Sequence, residues 1–349
     1  GKKMAIITVG IDLAKNIFAV HGIHAAGKPE LVRPSVSRAK LLDLLASLPP
    51  CLIGMEACSG AHHWARQLQK LGHTVRIIAP KFVAPYRLSG KRGKNDAADA
   101  AAICEAVSRP HMRFVPIKNE EQQGQLMVHR ARQGYIEQRT ATINRIRGLY
   151  SELGIVMPLK AATVRQQGHQ HLEALPGWAR TVITDLLDEV QHLDTRIAQY
   201  DRHIASMARQ HSQAQQLMQL GGIGETTASA LISTIGNGHD FANGRQLSAW
   251  LGLVPGQYSS GGKSRLGRIT KTGDRYLRSL LTLGARAVLA AAMRKTEAGG
   301  YDKQDSISRW ARSVAERRGY WKAVIAIAAK NARLCWAVLS KGEHFKLPT

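Results

Sequence analysis

The sequence predicts an α/β domain over residues 1–116, a long helical region over 117–212 and a mostly α-helical domain over 213–349. Three observations predict this. Short β-branched runs alternate with helical stretches up to about Pro116, strand signals almost vanish beyond it, and helix-period patterns fill most of the rest between proline and glycine breaks. A chain of 349 residues also exceeds one average domain, so two or three units with separate cores fit its length.

In the first domain, Ile6 to Asp12, Ile17 to Ile23, Leu52 to Glu56 and Val75 to Ile78 read as strands of a mixed sheet. Glu120 to Leu153 then reads as one long helix carrying Arg130, Arg132, Arg139, Arg145 and Arg147, either a coiled-coil arm or a strut facing nucleic acid. The segment from Pro158 to Pro176 breaks it. A second helix follows, with Val182, Leu186, Val190, Leu193, Ile197, Tyr200, Ile204 and Met207 at alternating four- and three-residue steps. That spacing is a heptad seam, which can pack within one chain or between copies. From about Gln213 the chain is helical again, with one Gly-rich, basic interruption between Pro255 and Gly273 that reads as a functional or disordered loop.

The net charge of +24, on a chain with ordinary hydrophobic content, points to a polyanionic partner, with nucleic acid first. No lipidation motif or isolated basic amphipathic tail supports a membrane partner. The apolar stretches Leu280 to Met293 and Ala323 to Leu339, interrupted by Arg286 and by Lys330 and Arg333, read as too short and too charged to span a bilayer. The start, Gly-Lys-Lys-Met-Ala-Ile-Ile, lacks the pattern of a signal peptide. Cys51, Cys58, Cys104 and Cys335 have no C-x-x-C spacing and read as reduced thiols, so a cytoplasmic protein is expected, nucleoid-associated if its polyanionic partner is DNA.

Four acids stand out. In the first strand a period of two puts Asp12 with Thr8 and Gly10, opposite Ile7, Val9 and Ile11; in the third predicted strand Glu56 lies with Leu52 and Gly54, opposite Cys51, Ile53 and Met55. Each acid thus follows a same-face glycine by two residues, which leaves room beside the carboxylate. Asp96 and Asp99 open an alanine-rich helix and share a surface through their i, i+3 spacing. Oxygen ligands of this kind suit Mg²⁺ or Mn²⁺, and four carboxylates can hold two ions for phosphoryl transfer. The competing structural readings are that Asp96 favours the helix dipole and that Glu56 caps a strand or pairs with an arginine. Strand acid, strand acid and paired helix acids, in that order and beside strongly basic helices, make the layout of a ribonuclease-H-like, RuvC-like domain.

Two further segments carry nucleic-acid chemistry. Leu220 to Ala228, with Gly222, Gly224 and Thr226, looks like a helix-hairpin-helix whose backbone N–H groups meet phosphates; a tight turn without a ligand is the alternative. The loop Pro255 to Lys271 brings hydroxyls and glycines together with Lys263, Arg265, Arg268 and Lys271, which can grip phosphates. A serine in it could attack a phosphodiester, and the residues alone do not choose among Ser259, Ser260 and Ser264.

The segments Gly10-Ile11-Asp12-Leu13-Ala14-Lys15, Met55-Glu56-Ala57-Cys58-Ser59-Gly60 and Lys94-Asn95-Asp96-Ala97-Ala98-Asp99-Ala100 resemble the DEDD-type transposases of bacterial insertion sequences. So do Gly222-Ile223-Gly224 with Thr227-Ala228, and Tyr258-Ser259-Ser260-Gly261-Gly262 followed by Gly267-Arg268-Ile269-Thr270-Lys271. The resemblance runs in order over nearly the whole chain. It implies a RuvC-like domain, a coiled-coil region and a C-terminal transposase domain, assembled as dimers and tetramers around a structured, element-encoded guide RNA that pairs with target and donor DNA. It also implies that Asp12, Glu56, Asp96 and Asp99 are the metal ligands and that Ser260 is the nucleophile, the two sets meeting across protomers. Ala57 to Trp64 and Gly221 depart from the commoner family pattern and suggest a subgroup. A RuvC-like nuclease that uses water and a non-catalytic nucleic-acid-binding scaffold are the alternatives.

Overall fold

A computed structural model describes residues 5–87, 96–260, 263–297 and 306–342. The chain divides into two compact units, Gly1–Glu120 and Glu121–Thr349.

The first unit is built on six strands: β1 (Ile6–Asp12), β2 (Ile17–His24), β3 (Pro29–Ser37), β4 (Leu52–Glu56), β5 (Thr74–Ile78) and β6 (Phe114–Val115), in the order β3-β2-β1-β4-β5-β6. β1, β2 and β3 form an antiparallel meander, β4 and β5 run parallel to β1, and β6 closes the sheet antiparallel. The four strands expected from β-branched runs are present, and the sheet is mixed. β3 and β6 were not expected: β3 carries Pro29 and Pro34, which suit an edge and hide a strand, and β6 has only two residues.

Helices cover both faces. The short α1 (Leu41–Ala46) and α2 (Ala61–Lys70) bury Leu41, Leu45, Trp64 and Leu68 against Val9, Ile11, Ile53 and Met55. Each such fully buried aliphatic side chain contributes roughly 1.5–3 kcal/mol. After β5 comes a one-turn α3 (Pro80–Val83) and a 3₁₀ turn (Ala84–Tyr86). On the other face lies α4 (Asp96–Val107), whose Ile103, Ala106 and Val107 pack with Ile78 and Val83.

The second unit begins within α5 (Glu120–Glu152), at Glu121, and continues with α6 (Ala161–Gln167), a 3₁₀ segment (Gly168–Ala174) and α7 (Gly177–Gln210). α5 and α7 run antiparallel, since Arg132 pairs with Asp201 whereas Arg139, seven residues later, pairs with Asp194, seven residues earlier. Ile143, Ile146 and Tyr150 of α5 share a core with Ile183, Leu187 and Val190 of α7 in the same chain. The buried stripe of α7 comprises Ile183, Leu187, Val190, Leu193, Ile197, Ile204 and Ala208. It matches the expected seam from Val190 to Ile204, except at the half-buried Tyr200, and is rotated by one residue before that, where Val182 is 47% exposed. The cause is the 3₁₀ segment, for a Cβ on Gly168 would meet Leu187 Cδ2 at 2.7 Å, so this side of the helix is the covered one.

The remaining helices are α8 (Ser212–Leu217), α9 (Glu225–Ile235), α10 (Gly244–Trp250), α11 (Arg275–Glu297), α12 (Ser306–Arg318) and α13 (Tyr320–Lys341), which surround one core. By length and composition Arg275–Arg294 and Tyr320–Lys341 are long and apolar enough to cross a membrane, a test that buried core helices also pass. Their apolar character serves the core: Leu277, Leu281, Ala285 and Leu289 of α11 pack with Val324, Ile327, Ala332 and Cys335 of α13. All four cysteines are free thiols. Where a basic loop was expected, the chain forms an antiparallel hairpin, β7 (Pro255–Ser260) and β8 (Lys263–Ile269). Its glycines, serines and cations are poor strand formers, which is why composition concealed it.

Candidate active site

The register explains how the sheet gathers acids. Ile11 of β1 lies opposite Met55 of β4 in a parallel pair, so Asp12 and Glu56 follow at the carboxyl ends of neighbouring strands. The two same-face glycines do something other than leave space beside the carboxylates. A Cβ on Gly10 would lie 2.1 Å from the Ala100 carbonyl oxygen and 2.4 Å from the Cys104 nitrogen, and one on Gly54 would lie 2.6 Å from Val107 Cβ. Glycine at both positions therefore lets α4 settle directly on β1 and β4. That contact carries the helix's first turn, with Asp96 and Asp99, to the strand ends.

Asp12 feels the result. Its carboxyl is pushed up to about 6, first by burial, then by Asp99, Asp96 and Glu56, with Arg87 acting in the opposite sense. Glu56 is also raised, mainly by burial, with Arg87 opposing and Asp99 adding to the rise. All four predicted acids thus belong to one electrostatic cluster.

Arg87 is the residue that sequence reasoning missed by number. Its Nη2 donates to Glu56 Oε2 at 2.7 Å and its Nε to Asp99 Oδ1 at 2.7 Å. It is brought there by the turn after β5: Ala57 N–H donates to the Ile78 carbonyl, and Arg87 N–H closes the 3₁₀ turn on Ala84. No spacing in the sequence announces this, although an arginine partner for Glu56 was one of the two structural readings. Among the described residues no three His, Cys, Asp or Glu side chains converge closely enough to hold a metal ion. The donor set has the oxygen chemistry of a hard divalent cation, while Glu56 and Asp99 are both turned to a guanidinium.

In the second unit Gly222 has φ +83°, and a Cβ there would meet the Gly284 carbonyl oxygen at 2.7 Å; a Cβ on Gly284 would meet the Gly222 oxygen at 1.9 Å. Gly222 therefore packs the turn onto α11, and Asn331 Nδ2 donates to the neighbouring Gly221 carbonyl. Gly224 is different: it is the N-cap of α9, faces open space, and leaves Thr226 half-exposed in the first turn.

The hairpin register pairs Ser260 with Lys263, Ser259 with Ser264 and Tyr258 with Arg265. Gly261 and Gly262 lie outside the described residues. Their Gly-Gly pair between two runs is the sequence signal that could have announced a hairpin. Tyr258 is 74% exposed, Arg265 and Arg268 are exposed, and so is Lys271, whose backbone is left-handed with φ +52°.

Comparison with known proteins places these features in a family. The model for the transposase IS116/IS110/IS902 family matches residues 214–301, and a transposase model for the IS110-type DEDD domain matches residues 9–154. A probable family 20 transposase of Pseudomonas aeruginosa is 43% identical over 98% of this chain and 99% of its own length. The transposase for insertion sequence element IS1111A of Coxiella burnetii is 37% identical over 97% of this chain and 91% of its own. The transposase for insertion sequence element IS1328 of Yersinia enterocolitica is 36% identical over 97% and 98%. The mixed α/β sheet followed by helices is compatible with a DEDD, ribonuclease-H-like domain, and the DEDD match suggests divalent-metal use. With both family models matched in order and relatives aligned almost end to end, the chain belongs to the IS116/IS110/IS902 family of insertion-sequence transposases.

Proposed function

We propose that this transposase moves its element by serine-mediated strand exchange guided by an element-encoded RNA that pairs with target and donor DNA. The observation that carries the reading is the convergence of Asp12, Glu56, Asp96 and Asp99 into one electrostatic cluster at the sheet's carboxyl edge. Mg²⁺ or Mn²⁺ held by these acids would polarise a phosphodiester and neutralise charge in its transition state.

Ser260 Oγ gives up its proton and attacks phosphorus, an O–P bond forms, and the bond to the leaving sugar oxygen breaks as that oxygen takes up a proton in turn. The phosphoserine link conserves the bond energy, and attack by a second strand end reverses the step and frees the serine. Ser260 rather than Ser259 is the nucleophile in this reading because it directly precedes Gly261 in the Tyr-x-Ser-Gly pattern, with Lys263 and Arg265 holding phosphate. Gly224 and Thr226 at the start of α9, in a helix-hairpin-helix with Gly222, together with Arg268 and Lys271, grip the DNA backbone.

The chain is organised as 1–116, 117–212 and 213–349, with the middle helices forming a coiled coil. It works as a dimer that pairs into a tetramer, so that acids and serine of different protomers complete each site. It acts in the bacterial cytoplasm at the nucleoid and without a membrane partner.

The test is to purify the protein with its element's flanking transcript and add donor and target DNA. The expected outcome is a discrete co-purified RNA and a covalent protein–DNA adduct that survives denaturation, is lost in Ser260→Ala and is kept in Ser259→Ala. Hydrolysed ends without adduct would instead mean a nuclease that uses water, and normal rejoining by Asp12→Asn a non-catalytic acidic cluster.

A further inference from the structure

Glu56 and Asp99 each spend an oxygen on the same guanidinium, through two different nitrogens of Arg87. A carboxylate committed to a 2.7 Å charge-assisted hydrogen bond is turned toward that donor. The described residues accordingly contain no three-ligand cluster, although Asp99, Asp96 and Glu56 are close enough to raise Asp12 together. Among the described residues, Arg87 is the cation that opposes the rise in Asp12, and it therefore stands where positive charge is needed.

We propose that Arg87 is the resident cation of the carboxylate site, and that a divalent ion binds at Glu56 and Asp99 only as the guanidinium leaves them. This rests on the metal reading above. Metal capture and release of Arg87 are then one event, and the arginine sets the ion's affinity. It also keeps the acids from repelling α4 off the sheet when no ion is bound. Arg87 is a positioning residue, with its guanidinium exchanged for metal.

The experiment titrates Mn²⁺ into full-length wild type, Arg87→Ala, Arg87→Lys and Asp12→Asn, reading free Mn²⁺ by electron paramagnetic resonance, with circular dichroism to establish folding. Loss of two charge-assisted bonds to competing ligands should tighten Asp12-dependent Mn²⁺ binding about tenfold in Arg87→Ala. Arg87→Lys should fall between. In EDTA, Arg87→Ala should melt below wild type and regain more on Mn²⁺ addition. Should Arg87→Ala not fold, the neutral Arg87→Gln takes its place. Equal or weaker Mn²⁺ binding by the folded neutral variant overturns the proposal and leaves the metal reading intact. Absence of any Asp12-dependent Mn²⁺ binding, in wild type and variant alike, overturns both.

Discussion

Gly10 of β1 and Ala100 of α4 touch backbone to backbone: a Cβ on the glycine would lie 2.1 Å from the alanine's carbonyl oxygen. Neither group can step aside, because one belongs to a central strand and the other to the helix that carries Asp96 and Asp99. Gly10→Ala is therefore expected to destabilise the first unit by about 3 kcal/mol or more, the upper range for overpacking. Thermal unfolding checks it. Gly124 in α5 is the control: a Cβ there meets nothing within 4 Å, so Gly124→Ala should stabilise by about 0.5–1 kcal/mol.

That contact also marks the limit of what the sequence discloses. β1 and β4 are legible because Ile7 to Asp12 and Leu52 to Glu56 alternate, and the glycines two residues before each acid are legible as unusual. What the glycines accommodate is a helix packed from elsewhere in the chain, and spacing along a strand does not record its neighbours. Arg87 is hidden for the same reason, since its position depends on where the turn from Pro80 to Tyr86 leads. β3 and the β7–β8 hairpin are hidden by composition, through Pro29 and Pro34 in one and Gly, Ser and Arg in the other.

His129 should make the second unit acid-sensitive. It is buried, with Nδ1 at 3.0 Å from the Tyr276 hydroxyl and Nε2 at 3.0 Å from Ser229 Oγ, tying α5 to α11 and α9. Burial, then the charge of Arg132, lowers its pKa to about 4 from an ordinary 6.5. The unfolded chain thus binds the proton more readily. The contribution to stability is complete above pH 6.5 and is lost as pH falls through the window toward 4. Urea denaturation should show about 2 kcal/mol less stability at pH 5 than at pH 7.5 from this residue. His129→Gln should flatten that difference, and an unchanged slope would remove His129 as its source.

The three-way clamp at Asp194 predicts a coupled loss. Arg139 Nη1 donates to Oδ1 at 2.6 Å, and Arg165 donates to Oδ2 at 2.6 Å and Oδ1 at 2.9 Å. These partners hold the carboxyl below its ordinary value against burial, which acts to raise it. With the groups partly open to water, Asp194→Asn should cost about 1 kcal/mol. Arg139→Ala and Arg165→Ala should each lose most of their effect in the Asp194→Asn background, as a double-mutant cycle in urea would read.

Lys271 allows fold and function to be separated by sign. Among the described residues it is the non-glycine with positive φ, held by its N–H to the Gly252 carbonyl at 3.2 Å while Thr270 N–H donates to Val254 at 2.9 Å. A left-handed L-residue costs roughly 1–2 kcal/mol, so glycine should be preferred on conformational grounds alone. The closure around it already uses glycine twice: a Cβ on Gly252 would meet the Thr272 carbonyl oxygen at 2.3 Å, and one on Gly273 the Trp250 oxygen at 1.8 Å. A strained lysine at this position, close in sequence to Arg265 and Arg268, is explained if its ammonium meets a DNA phosphate. Lys271→Gly should then raise the melting temperature while weakening DNA binding at low salt, and it should reduce the slope of log affinity against log salt by about 1. Alanine retains the strain and loses the charge, so Lys271→Ala should weaken binding equally without the gain in stability. If glycine stabilises and DNA affinity and salt slope stay at wild-type values, the lysine is no phosphate contact.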